Sequence, residues 1–304
     1  MQVFSSKIFA SHRPAETSLG HLNLKLLVAL LGLWLVQGSA SAGAWTPEKG
    51  FTYLKFSANL FQSFANFDIE GNRIEPLEDS PDEFSRFRDE NLAIYFEYGL
   101  LDRLAIFGNI TYKKIEQVTR LQVIPEDISA TNEGFADVEL GLRYQLTTGP
   151  NVFSVSFLAK LPYLYDDDET FFKIGNAQED LELRGLYGRS FARYFYGGVE
   201  AAYRWRLDAP SDEYRYLLEL GHTSPKFFYA RIKYEGIESR GTFQPSTGLS
   251  NPLLNPQFDL NSLEISAGVQ FNRTWAVEYT YTDTLSGKNT AEGYNHQYAL
   301  ILTF

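Results

Sequence analysis

The chain of 304 residues contains no cysteine, four histidines and no excess of basic charge. Without cysteine there is no disulfide framework and no lipid anchor at a processed N-terminus. The net charge of −11 argues against nucleic-acid binding, which needs a basic face. No apolar run is long enough for a membrane-spanning helix. The longest, Leu26 to Val36, has eleven residues. Mean hydropathy is −0.25, too polar for a bundle of membrane helices. Gly-rich phosphate loops, HExxH and CxxC patterns are absent, as are linkers and long internal repeats. No metal site or cofactor is expected.

The Leu26–Val36 run fits the apolar region of a signal peptide, too short to span a bilayer. Lys25 precedes it. Ala40-Ser41-Ala42 supplies an A-x-A cleavage site, with Ala42-Gly43-Ala44 as the near alternative. An uncleaved anchor or a buried helix is the competing reading. The expected division is a signal peptide over 1–42 and one domain over 43–304. Cleavage removes Lys7, Arg13, Lys25 and Glu16, leaving 24 basic against 37 acidic residues, a net charge of −13.

What is abundant is period-two alternation. Tyr298, Leu300, Leu302 and Phe304 share one face of a final strand that ends on an aromatic residue. An outer-membrane barrel places such residues against lipid and its aromatics at the interfaces. This strand is the expected insertion signal, and barrel-assembly machinery its expected reader. The strongest alternation sets Ala136, Val138, Leu140, Leu142, Tyr144 and Leu146 against Asp137, Glu139, Gly141, Arg143 and Gln145. Similar segments recur from Phe51 to the C-terminus, separated by turns such as Leu101-Asp102-Arg103 and Thr147-Thr148-Gly149-Pro150-Asn151.

The expected fold is all-β: a transmembrane antiparallel up-and-down β-barrel of about twelve strands. Long loops are expected around 71–88, 119–132, 165–178, 237–259 and 285–293, with a shorter connection at 208–212. Short turns then face the periplasm and long loops the outside, which makes both termini periplasmic. The second strand is expected over 91–100. The expected location is the bacterial outer membrane, with lipid bilayer and lipopolysaccharide as surroundings.

A charge facing lipid near mid-bilayer costs about 2–4 kcal/mol. The strand charges fall instead opposite the aliphatic stripe. Glu97, Lys113, Glu139, Arg143, Glu182, Arg184, Glu200, Arg204, Arg206, Arg215, Glu219, Arg231, Lys233, Glu235, Glu264 and Glu278 are therefore expected to line the lumen. Both signs occur on consecutive strands. One reading is a salt-bridged filling; the other is a polar path for a solute. Barrels of about eight strands are filled by side chains and those of 16–18 hold aqueous channels, so twelve falls between.

A catalytic set needs nucleophile, base and orienter in mutual reach. His12 and His21 fall in the leader, His222 in a turn beside Thr223 and Ser224, and His296 on the outward face of the last strand without a serine two residues on. No enzyme activity is expected. Asp166-Asp167-Asp168-Glu169 lacks the alternation and glycine of a calcium loop and reads as a solvated face, like Glu75, Glu78, Asp79, Asp82 and Glu83. Phe171-Phe172 is expected at the barrel rim, where it could also close over the mouth or touch an apolar ligand.

Gly134-Phe135-Ala136-Asp137-Val138-Glu139-Leu140-Gly141-Leu142-Arg143-Tyr144 resembles the G-x-G-D-x-x-L-G-x-[KR]-Y strand of the outer-membrane family named for the meta-pathway of phenol degradation, with Phe135 in place of the second glycine. Ala159-Lys160-Leu161-Pro162 and Glu97-Tyr98-Gly99-Leu100-Leu101-Asp102-Arg103-Leu104 resemble its next strand end and its Y-G-L-T-D-R-L turn. The resemblance covers most of 51–304. It implies a twelve-stranded barrel passing apolar or aromatic solutes, and no catalytic residues. The expected function is a passive channel for small solutes, for uptake or efflux. The alternatives are a sealed structural or export-associated barrel, as in surface-polysaccharide secretion, and a lipid-acting enzyme.

Overall fold

The computed structural model describes residues 43–74, 84–121, 124–165, 172–207, 211–224, 227–241 and 251–304. The expected signal peptide lies outside them. So do Asp166 to Glu169, Phe171 and the acidic residues from Glu75 to Glu83.

Twelve strands form one closed antiparallel sheet. They are β1 Thr52–Phe67, β2 Phe84–Leu101, β3 Leu104–Leu121, β4 in two segments Ile124–Phe135 and Val138–Gln145, β5 Asn151–Leu161 and β6 Asp180–Ala192. Then come β7 Phe195–Arg206, β8 Glu213–Thr223, β9 Phe228–Ser239, β10 Asp259–Gln270, β11 Trp275–Lys288 and β12 Thr290–Thr303. A two-residue strand, Arg73–Ile74, folds back on Asn66 and Phe67. Each strand pairs with its sequence neighbour, and β12 closes on β1 with Phe56 opposite Leu300 and Leu54 opposite Leu302. Closure leaves no free sheet edge, the condition for strands to cross lipid. Among the described residues no helix is long and apolar enough to do so.

Alternation sets the facing. Leu140, Leu142 and Tyr144 are exposed on the outer wall, while Gly141, Arg143 and Gln145 are buried on the inner one. In the terminal strand Tyr298, Leu300 and Phe304 are likewise exposed. Outward aromatics pair across neighbouring strands, some of them near the strand ends, as at a membrane–water boundary. Tyr112 meets Phe135 edge-on at 5.3 Å between ring centres, and Tyr203 meets Trp205 and Tyr214 at 5.0 and 5.2 Å. Phe191 and Phe195 stack at the opposite end. The closed barrel with its aliphatic outer wall is that of a bacterial outer-membrane protein.

The facing is open to direct test. Leu142→Arg puts a charge against lipid at a cost of about 2–4 kcal/mol, whereas Ala93→Arg places it in the lumen, where Ala93 lines a cavity. The first variant is expected to lose folded protein in a heat-modifiability gel and the second to retain it. Gly141 is a poor site for such a luminal control, because the Phe107 ring covers it where a Cβ would stand.

Three expected loops are strand instead. Residues 119–121 and 124–132 continue two paired strands, in which Thr119 pairs with Ile128 and Arg120 holds Asp127 at 2.6 Å. Residues 285–293 form a hairpin, turning at Asn289 with a positive φ of 52°. Strand β2 begins at Phe84 rather than Asn91. Above the bilayer both faces of a hairpin meet water, so hydropathy stops alternating while backbone pairing continues. His222, expected in a turn, ends β8 with its ring 4.6 Å from that of Phe195.

Candidate functional site: the barrel lumen

All sixteen charged residues expected to line the lumen are buried or half-buried, and further charged residues pair with them. Lys55, Asp89, Asp137, Lys160, Asp180 and Glu213 join them. Strand parity alone could have added Lys55 and Lys160. Each stands between outward residues, Leu54 and Phe56 in the first case, Ala159 and Leu161 in the second.

Opposite charges lie within reach because consecutive strands bring them level. Along β4 to β8 runs one connected network. Glu182 meets Arg184 at 2.7 Å and Arg204 at 2.9 Å, with Arg215 at 3.9 Å. Arg184 also holds Glu200 at 2.6 Å, and Arg204 reaches Glu139 at 3.5 Å. Asp180 links Arg204, Arg206 and Lys160, and Glu213 receives Arg206 at 3.0 Å and Arg215 at 2.7 Å. Lys160 closes on Asp137 at 3.3 Å.

A second network spans β1, β9, β10 and β11. Glu278 accepts Lys55 and Arg231, both at 2.8 Å, and Glu264 meets Arg231 and Lys233 at 3.5 and 3.3 Å. Glu235 lies 3.9 Å from Lys233. Arg143 pairs with Glu97, which also accepts from the Tyr95 hydroxyl at 3.1 Å. Glu219 is held by the Tyr196 hydroxyl at 2.8 Å.

The wall facing these ions is largely uncharged. Gln297 donates to Asn59 at 2.7 Å, Asn59 to Asn91 at 2.8 Å and Asn91 to Asp89 at 2.9 Å, an amide ladder across β12, β1 and β2. Lys113 ends it at 3.4 Å from Asp89. Amides donate and accept at once, so each satisfies its neighbour and keeps capacity toward the lumen. Between the walls lies a cavity of about 620 Å³, lined by this ladder, by Tyr53, Tyr95 and Phe61, and by Lys55, Arg231, Lys233 and Glu219.

Both ends of the cavity are narrowed. At the outer end an apolar cluster forms from Phe87, Ile115, Ala136, Phe172 and Ile174, with Phe61 and Leu253 packed against it. Phe172 thus turns into the barrel instead of sitting on its rim: it is 3% exposed and its ring lies 6.3 Å from that of Phe87. The Asn132 amide holds its carbonyl at 2.9 Å. Leu253 belongs to a short helical turn, Pro252–Leu254, capped by Asn251.

At the periplasmic end residues 43–47 lie buried or half-buried in the barrel, and 48–50 are exposed. Thr46 donates through its amide and its hydroxyl to Gln145, both at 3.0 Å. Trp45 packs against Gly188, where a Cβ would collide with the indole, and meets Tyr196 edge-on at 6.1 Å. Ala44 is buried against Val152 and Leu186, and Ser154 donates to its carbonyl. The Gly43 carbonyl accepts from Arg143 at 2.6 Å. No periodicity marks this plug, so the sequence held no signal for it.

His296, the remaining histidine of interest for chemistry, stands on the outer wall. Its Nδ1 lies 2.8 Å from the Tyr279 hydroxyl, with Tyr281 and Tyr294 beside the ring.

No family model and no curated protein matches the chain. Solved structures do. The COG4313 outer membrane channel from Pseudomonas putida F1 aligns with a TM-score of 0.65 at 11% identity, covering 86% of this chain and 98% of that one. The toluene transporter TbuX from Ralstonia pickettii gives 0.44 at 9% identity, covering 85% of this chain and 90% of that one. The first shows a shared fold. The class defined is an outer-membrane β-barrel with a plugged, polar lumen.

Proposed function

We propose that the barrel is a passive channel for small solutes, aromatic ones among them. The observation that carries this reading is the 620 Å³ cavity inside the barrel, a size suited to a single small ligand. Its lining combines hydrogen-bonding amides with the rings of Tyr53, Tyr95 and Phe61. The description of the Pseudomonas putida F1 protein as a channel supports the reading, as does the resemblance to the phenol meta-pathway family. Selectivity would rest on the charged residues around the cavity and on the outer loops. The terminal strand ending in Phe304 would serve recognition by barrel-assembly machinery, and the aromatic bands would contact lipid and lipopolysaccharide.

A second reading, a sealed structural or export-associated barrel, is favoured by the ion pairs that fill the lumen along β4 to β8 and by the plug. Conductance of the refolded mature protein in a planar bilayer separates the two. A channel is expected to give stable current steps that aromatic acids block. Silence from well-folded protein would leave the sealed barrel.

A further inference from the structure

Among the described residues the ion pairs along β4 to β8 join six carboxylates to five cations. The carboxylates are Asp137, Glu139, Asp180, Glu182, Glu200 and Glu213, and the cations are Lys160, Arg184, Arg204, Arg206 and Arg215. In a lumen this enclosed an unmatched carboxylate is costly. One oxygen of Glu200 faces the plug. Arg184 takes one oxygen of Glu200, Oε2, at 2.6 Å. The other, Oε1, points at Gly43, so closely that a Cβ on that residue would collide with it. Gly43 is held from its other side by Arg143 at its carbonyl. Its α-carbon is therefore fixed beside a carboxylate oxygen.

We propose that Gly43 is the first residue of the mature chain and that its α-ammonium is the sixth cation of this network, bound by Glu200. The modification that makes it is hydrolysis of the Ala42–Gly43 peptide bond by a signal peptidase. Water adds across the bond: hydroxyl goes to the Ala42 carbonyl carbon and hydrogen to the Gly43 nitrogen. The new carboxyl group releases a proton and the new amine takes one up. A neutral amide thus becomes a cation, and it does so next to the Glu200 oxygen that Arg184 does not hold. Processing would then do more than release the leader. It would create the charge that pins the plug in the lumen. A larger residue at 43 would have to displace the Glu200 carboxylate. The inference stands apart from the channel reading, because a sealed barrel needs the same charge balance.

The test is chemical. Mature protein is prepared from outer membranes and its N-terminal residue is read by mass spectrometry; Gly43 is expected. The folded protein is then treated near neutral pH with a small amine-reactive ester. An unperturbed α-amine, with a pKa of about 7.7–8.0, reacts there ahead of lysines near 10.4. Labelling is followed in the tryptic peptide spanning 43–49. The amine is expected to be protected in the wild type and to react at least about tenfold faster in Glu200→Gln, a factor worth ~1.4 kcal/mol. That variant keeps an amide for Arg184, which also retains Glu182, and a heat-modifiability gel confirms that it is folded. Glu219→Gln, which lies outside the network, is expected to leave the rate unchanged. A mature chain starting at another residue would overturn the proposal. So would equal labelling of wild type and Glu200→Gln, or equal acceleration by Glu219→Gln.

Discussion

A mature chain beginning at Pro47 is expected to conduct severalfold more current than one beginning at Gly43. The missing residues are the ones that close the periplasmic end of the cavity. Trp45 fills the space over Gly188, Ala44 packs on Val152 and Leu186, and Gly43 forms part of the cavity lining itself. None of them belongs to a strand, so their loss leaves every ladder of the barrel intact. The cost falls on four polar groups that lose a partner: Gln145, Ser154, Arg143 and, on the proposal above, Glu200, which keeps Arg184. Water can satisfy the first two once the plug is gone, and Arg143 keeps Glu97. The shorter chain should therefore fold and open. Single-channel recording of both proteins, refolded side by side, checks this. Equal conductance would mean that the plug leaves the lumen during conduction or that the outer apolar cluster alone limits flow.

Replacing Glu182 with leucine is expected to destabilise the barrel by about 3–5 kcal/mol, the range for removing one partner of a buried ion pair. Glu182 is 2% exposed and serves three arginines on three strands. Its loss leaves positive charges with fewer anions in a confined space, where repulsion is screened weakly. Arg184 can lean on Glu200 and Arg215 on Glu213, but Arg204 loses its closest partner. Urea unfolding in lipid vesicles measures the change. By contrast Glu235→Gln, at the edge of the second network and 43% exposed in its side chain, should shift the midpoint little. A loss below about 1 kcal/mol for Glu182→Leu would show that water already penetrates the network and screens it as it screens a surface pair.

Much of the architecture was readable from local pattern. The order of strands, the short turns at Asp102-Arg103 and 147–150, and the outward stripe of Leu140, Leu142 and Tyr144 all follow from alternation over a few residues. Strand extent was not. The hairpins above the bilayer carry polar residues on both faces, so Arg120 opposite Asp127 looks like loop composition although the backbone is paired.

The sequence by itself determined which residues face lipid and which face inward, because a strand turns successive side chains to opposite sides and a bilayer tolerates charge on only one of them. Only the tertiary structure decided what the inside contains. That Gly43 meets Glu200, that Thr46 meets Gln145, and that Phe172 reaches Phe87 are contacts between segments 157, 99 and 85 residues apart. They depend on barrel circumference and closure, quantities set by all twelve strands together and carried by no single stretch of the chain.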